Sequence, residues 1–242
     1  MIIIPARIAS NRFPNKVLAN IDGYPMVIAT AKRVENLDKV AIATDSKEVY
    51  NLARDYGFEA VMTSENHNSG TDRINEAADK LELNEDEIVV NVQADEPFIE
   101  PEVVKSVIDK IEELKSKRDF VMVSCYKIID KQSAENPNAV KVITDSNSDA
   151  IYFSRSKIPY DREEHSEYFG HLGIYGFTKK SLQTFCSLPS SPLEDTEKLE
   201  QLRAIYHSKK IAMVKVESQS FGIDTKEDLQ VALKKFLNKE NR

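Results

Sequence analysis

The chain has 242 residues, 41% of them hydrophobic and 30% charged, with a formal net charge of −7. That length suits one sizeable α/β core needing no disulfide or metal staple, and apolar residues spread along the whole chain exclude a disordered protein. The acidic balance weighs against a nucleic-acid-binding protein; an acidic chain that handles anions must gather its basic residues locally.

Taken in order, the apolar spacing predicts strand 2–4, helix 26–34, strand 40–43, helix 47–56, strand 60–62, helix 72–80, strand 88–92 and helix 102–114. This alternation predicts an α/β fold with a mostly parallel central sheet covered on both faces. Ligands of such sheets bind beyond the carboxyl ends of the strands, which directs attention to the loops after Ile4 and Val92. The second half changes character. Strand-like runs at 120–129, 140–144, 151–153 and 172–177 follow one another without long helices, separated by polar stretches at 130–138 and 162–168. They predict a mixed or antiparallel lobe inserted at about 120–190 in one domain spanning 1–242. Helical spacing resumes at 192–206 and 226–237.

Cys125 and Cys186, the two cysteines, lie in apolar runs and read as small buried thiols; no histidine pair has metal-ligand spacing. The apolar opening Met1–Ile4 is too short for a signal peptide, and no run approaches the ~20 residues of a membrane helix, so a cytoplasmic protein without membrane or nucleic-acid partners is expected.

The first loop, IPARIASNRFPNK, holds Arg7, Arg12 and Lys16 and no acidic residue. Three cations beside exposed amides suit a triphosphate, although a solvated basic turn has the same composition. The second loop, NVQADEP, carries Gln93 and Asp95 off a buried strand; a carboxylate there either caps the strand end or holds magnesium against phosphates. In HNSGTDR, Ser69, Gly70 and Arg73 enter a helix, where Ser69 or Thr71 is the capping residue. In YFSRSK, Arg155 follows a strand, and in GHLGIYGF His171 and Tyr175 share a face by the period of two. SPLEDTEKLEQLR starts a helix at Ser191 and sets Glu197, Glu200 and Gln201 on one face. In FGIDTKEDL, Asp224 or Thr225 is placed to cap the last helix.

Together these six segments, spanning nearly the whole chain in order, resemble the nucleotide-sugar cytidylyltransferases, specifically the 3-deoxy-manno-octulosonate (Kdo) cytidylyltransferase family. The resemblance implies a Rossmann-like nucleotide-diphospho-sugar transferase fold and the reaction of CTP with Kdo to give CMP-Kdo and pyrophosphate for lipopolysaccharide synthesis. It implies catalytic Arg7, Lys16, Asp95 and Asp224, with Mg2+ on Asp95 and Asp224. It implies nucleotide contacts from Arg7, Arg12, Lys16, Ser69, Gly70, Arg73 and Gln93, with Gln93 on the cytosine ring. Arg155, on the sugar carboxylate, and His171, Tyr175, Glu200 and Gln201 are the implied sugar-binding set; the implied assembly is a homodimer. Two family glycines are replaced, by Asn15 and Ala94. Asn tolerates the left-handed region, whereas a methyl at 94 is expected to narrow the nucleotide site. Transfer to a related acid sugar, such as the 8-amino analogue of Kdo or a sialic acid, and a nucleotide-binding regulator without catalysis are the alternatives.

Overall fold

A computed structural model describes residues 1–9, 13–67, 69–117, 119–163 and 167–237. The first half follows the expected alternation. Strand β1 (Ile2–Ala6) leads through a 3-10 turn (Lys16–Leu18) and a small hairpin, β2 (Asn20–Ile21) and β3 (Tyr24–Pro25), into helix α1 (Met26–Val34). Then come β4 (Val40–Thr44), α2 (Lys47–Asp55), β5 (Glu59–Met62), α3 (Gly70–Lys80), β6 (Ile88–Asn91) and α4 (Pro101–Leu114). The second half holds β7 (Met122–Ile129), α5 (Lys131–Glu135), β8 (Lys141–Thr144), β9 (Ala150–Ser154) and β10 (Tyr168–Thr178). It closes with α6 (Lys179–Ser187), α7 (Pro192–Glu197), α8 (Gln201–Tyr206), β11 (Ile211–Lys215) and α9 (Lys226–Phe236).

One sheet runs in the order β11-β7-β10-β6-β1-β4-β5, with β8 attached to β10 and β9 to β8. Strand β1 is parallel to β4 and β6, β4 to β5, and β11 to β7; β10 lies antiparallel between β6 and β7. The antiparallel character expected of the second half therefore enters the central sheet itself. Alternation divides the core. Ile2, Ile4 and Ala6 face the helices α1, α2 and α4, while Ile3 faces α3, α6 and α8. A smaller apolar cluster joins Phe13, Ile21 and Met26 to Ile223, Leu229 and Ala232, seating α9 beside the first loop.

Several elements differ from expectation, among them α5, a short helix capped by Asp130 within the polar stretch 130–138 expected to be a surface loop. Helix α6 occupies a stretch with few apolar residues, of which Leu182 and Phe185 are fully buried and Cys186 packs partly against the core. The helix expected over 192–206 breaks at Lys198, which adopts a left-handed conformation (φ 52°, ψ 49°). Ile211–Lys215, not anticipated, is a strand parallel to β7. Among the described residues, no helix is long and apolar enough to cross a membrane.

Candidate active site

Beyond the carboxyl ends of β1 and β6 lies a cavity of about 480 Å3. It brings together Arg7 and Lys16 from the first loop, Ser69, Gly70 and Arg73 from the start of α3, Gln93 and Asp95 from the turn after β6, and Asp224 from just before α9. Arg12 lies outside the described residues.

Asp224 and Asp95 meet on one cation. The Lys16 ammonium donates to Asp95 Oδ2 at 2.5 Å and to Asp224 Oδ1 at 3.3 Å. Capping does not explain Asp224, since the cap of α9 is Thr225, whose hydroxyl accepts from the Asp228 amide at 3.1 Å. Two carboxylates converging on one positive charge form a hard-oxygen set of the kind magnesium takes when phosphates and water complete its shell. Among the described residues, no group of three or more His, Cys, Asp or Glu is arranged to hold an ion. The next residue, Glu96, is buried, and burial together with the Asp95 charge pushes its carboxyl up to about 7. Its Oε2 accepts from Ser220 Oγ at 2.7 Å.

Ser69 caps α3, accepting from the Asp72 amide at 3.1 Å, so Gly70 lies in the first turn with its amide end toward the cavity. A Cβ on Gly70 would stand 3.1 Å from Pro5 Cγ and 3.6 Å from Gln93 Oε1, so a larger residue would crowd β1 and the Gln93 amide. Gln93 Nε2 donates to Asn91 Oδ1 at 3.2 Å. Asn15 takes a left-handed conformation (φ 56°, ψ 30°), the backbone a family glycine would supply, as the sequence led one to expect. Ala94 is buried in the core, and its carbonyl accepts from Thr30 Oγ1 at 2.9 Å; its methyl packs inward as well as bordering the cavity.

Arg73 is 3% exposed, and its guanidinium is committed to scaffolding. It donates to Thr63 Oγ1 at 2.6 Å and to Asp45 Oδ2 at 2.7 Å, while Asp45 Oδ1 accepts from the Ile8 amide at 3.4 Å. This chain ties α3 to the first loop.

A second polar group abuts the cavity through Asn91, which pairs with Tyr175 across β6 and β10. The Tyr175 hydroxyl donates to Gln201 Oε1 at 3.2 Å, and Glu200 Oε1 accepts from Thr71 Oγ1 at 2.6 Å. Burial raises the Glu200 carboxyl and the Tyr175 hydroxyl above their ordinary values. His171 Nε2 lies 2.8 Å from Ser124 Oγ, with its ring 5.5 Å from that of Tyr175, and burial pushes its imidazole down to about 3. It is therefore neutral at working pH. Asn91 Nδ2, Glu200 Oε2 and Gln201 Nε2 are buried without a hydrogen-bond partner among the described residues, a donor–acceptor set that a hydroxylated ligand would satisfy.

Arg155 stands apart. Its Nε donates to the Glu197 carbonyl at 2.7 Å, Nη1 to that of Pro137 at 3.1 Å and Nη2 to that of Lys198 at 3.4 Å. Glu197 in turn accepts from Ser154 Oγ and the Arg155 amide, so it does not share a helical face with Glu200 and Gln201. The break at Lys198 separates them. Sequence reasoning missed His67, which lines the cavity and bonds Glu76, and Asn91 and Ser124, whose places only strand pairing reveals. Burial pushes both cysteine thiols up; Cys125 is buried, as its apolar run suggested, whereas Cys186 is only partly buried.

Comparison with known proteins places this site in a family. A family model described as cytidylyltransferase matches residues 1–211. A 3-deoxy-manno-octulosonate cytidylyltransferase of a Nitratiruptor species is 56% identical, over 95% of this chain and 97% of the relative. One of the same name from Wolinella succinogenes is 53% identical over 98% and 99%. The solved structure of a CMP:2-keto-3-deoxy-manno-octonic acid synthetase complexed with CTP superposes with a TM-score of 0.90 at 34% identity, covering 99% of this chain and 98% of that one. A cytidylyltransferase from Leptospira borgpetersenii shares the fold alone, with a TM-score of 0.62 at 17% identity over 97% of this chain and 86% of that one. With near-complete coverage in both directions, the chain belongs to the cytidylyltransferase family, among its 3-deoxy-manno-octulosonate cytidylyltransferases.

Proposed function

We propose that the protein joins CTP to 3-deoxy-manno-octulosonate, releasing CMP-Kdo and pyrophosphate. The observation that carries this reading is the convergence of Asp95 and Asp224 on Lys16 in a cavity that also presents Arg7 and Gln93. Arg7, Arg12 and Lys16 meet the charge that builds on the departing pyrophosphate. Ser69, Gly70 and Gln93 border the nucleoside, and the Gln93 amide offers both a donor and an acceptor to the cytosine edge. The anomeric hydroxyl of the sugar attacks the α-phosphorus in line, and no covalent enzyme intermediate is required. Asp95 and Asp224 would hold Mg2+, which when bound lowers the cost of charge on the reacting oxygens.

The acceptor is assigned to His171, Tyr175, Glu200 and Gln201. The unpartnered Glu200 Oε2 and Gln201 Nε2 support this, as an acceptor and a donor suited to sugar hydroxyls. Arg155 is assigned to the sugar carboxylate, because each of its terminal nitrogens carries a second N–H beyond the one given to Pro137 or Lys198. The reading extends to a cytoplasmic homodimer supplying lipopolysaccharide synthesis. Exposed Ile151 and Tyr160, at 54% and 86%, support self-association through the 120–190 region.

Pyrophosphate release measured over a panel of nucleoside triphosphates and acid sugars tests the assignment. Release is expected with CTP and Kdo together. Equal use of ATP, or preference for an 8-amino or sialic acceptor, would overturn the corresponding half of it.

A further inference from the structure

Asp224 sits on the irregular stretch 216–225 between β11 and α9, where its amide donates to Asp228 Oδ2 in the first turn of α9 at 3.1 Å. Four bonds fasten this stretch to residues 95–100, the segment that carries Asp95. The Ile223 amide donates to the Asp95 carbonyl at 2.9 Å. Ser220 Oγ donates to Glu96 Oε2 at 2.7 Å, and both residues are buried. Glu100 accepts from Ser218 Oγ at 2.7 Å and from the Gln219 amide at 2.8 Å. Lys127 Nζ holds the Ser220 carbonyl from the far side at 2.7 Å, and Gly222 brings its backbone against Glu96, where an added Cβ would touch Oε1 at 3.5 Å. The neighbours of the two aspartates are thus bonded to each other, while Lys16 bridges the carboxylates themselves.

We propose that Glu96 is a positioning residue which, through the Ser220 hydroxyl, fixes the spacing of Asp95 and Asp224 and thereby the affinity of that pair for a divalent cation. The inference rests on the reading of these aspartates as the cation site. A carboxylate pair is a good chelate only when its oxygens are held at one separation. A stretch without secondary structure needs side-chain fastening to supply that order, and residues that orient metal ligands commonly govern affinity strongly. Glu96 would do this through its bond to Ser220.

Mn2+ titrated alone into the full chain and followed by electron paramagnetic resonance supplies a readout independent of turnover. Asp95→Asn and Asp224→Asn test the underlying reading: each should abolish binding, and if either binds Mn2+ like the wild type, that reading falls and the inference with it. Ser220→Ala and Glu96→Ala test the inference itself. Each should weaken Mn2+ binding about tenfold, whereas Glu96→Gln, which keeps an oxygen acceptor for Ser220, should stay near the wild type. Melting temperatures separate positioning from folding. Should Glu96→Ala fail to fold, Ser220→Ala still decides, since it removes one oxygen from a small side chain. Wild-type Mn2+ affinity in Ser220→Ala, with Asp95→Asn and Asp224→Asn inactive in binding, overturns the positioning role and leaves the cation site standing. A fall in melting temperature alone, without a change in affinity, overturns it equally.

Discussion

Replacing Arg73 by Met should destabilise the protein more than it weakens nucleotide use. The guanidinium is 3% exposed and bonded to Thr63 and Asp45, and the Asp45 side chain is 13% exposed. Removing one partner of a buried ion pair costs about 3–5 kcal/mol, because the remaining charge is left desolvated. The partial exposure of Asp45 lets water recover some of that loss, which argues for about 3 kcal/mol, the lower end of the range. In a chain of this size each kcal/mol moves the midpoint by about 2–4 °C, so a fall of about 6–12 °C is expected. Arg73→Lys keeps a charge but cannot fork to both partners, and should lose roughly half as much. Thermal melts followed by circular dichroism give the midpoints. The Michaelis constant for CTP should rise only modestly, through loosening of Asp45 and the Ile8 amide it holds. A melting temperature within about 2 °C of the wild type, combined with a tenfold rise in that constant, would refute the scaffolding role and return Arg73 to direct nucleotide contact.

Arg155→Lys surrenders up to three bonds to main-chain carbonyls; at about 1 kcal/mol each for the strongest, a lower melting temperature is expected. A selective rise in the Kdo Michaelis constant beyond that supports carboxylate recognition, and equal loss for both substrates refutes it. Glu76 has its carboxyl brought from 4.5 to about 2: burial raises it, but bonds from Lys80, the Ser64 amide and His67 lower it further. Its folded value lies below its unfolded one, so its contribution is complete above about pH 4.5 and fades as pH falls toward 2. Urea unfolding at pH 6 and pH 3 should show Glu76→Gln losing about 1–2 kcal/mol less than the wild type between the two; parallel losses would refute it. Gly176→Ala drives a methyl into Ile111 Cδ1 and to 2.7 Å from Val107 Cγ1, forcing α4 off the sheet. Overpacking of this kind costs about 1–3 kcal/mol, and an unchanged chemical-denaturation midpoint would show that α4 yields freely.

Most of the cavity between β1 and β6 was legible because it is built from short, continuous segments at strand ends. Arg7, Lys16, Gln93 and Asp95 fall where a parallel sheet must present its ligands, and Asn15 announced its own backbone conformation. The second polar group, around Tyr175, was less legible. It depends on β10 entering between β6 and β7, which brings Tyr175 opposite both Asn91 and Ser124, and no local pattern encodes that pairing. The break at Lys198 was hidden for a similar reason. The apolar stripe of 192–206 is compatible with one helix, and only packing selects a left-handed residue in its middle. For Arg73 and Arg155 a sequence shows charge but not the partners that orient it, the Asp45 carboxylate for one and main-chain carbonyls for the other.

The ion pair that closes the site joins residues 208 positions apart, Lys16 and Asp224. During synthesis the first loop, α3 and the turn after β6 emerge early, and the β1-β4-β5 portion of the sheet has the local connectivity to form first. Asp224 emerges after β11, on the stretch that runs from the β11–β7 pair to its bonds with Glu96 and Glu100. A nascent chain can therefore assemble much of its core and still lack the second carboxylate. Full ligand affinity then marks the final docking event, and substrates stabilise the last-formed contacts instead of guiding the earliest ones.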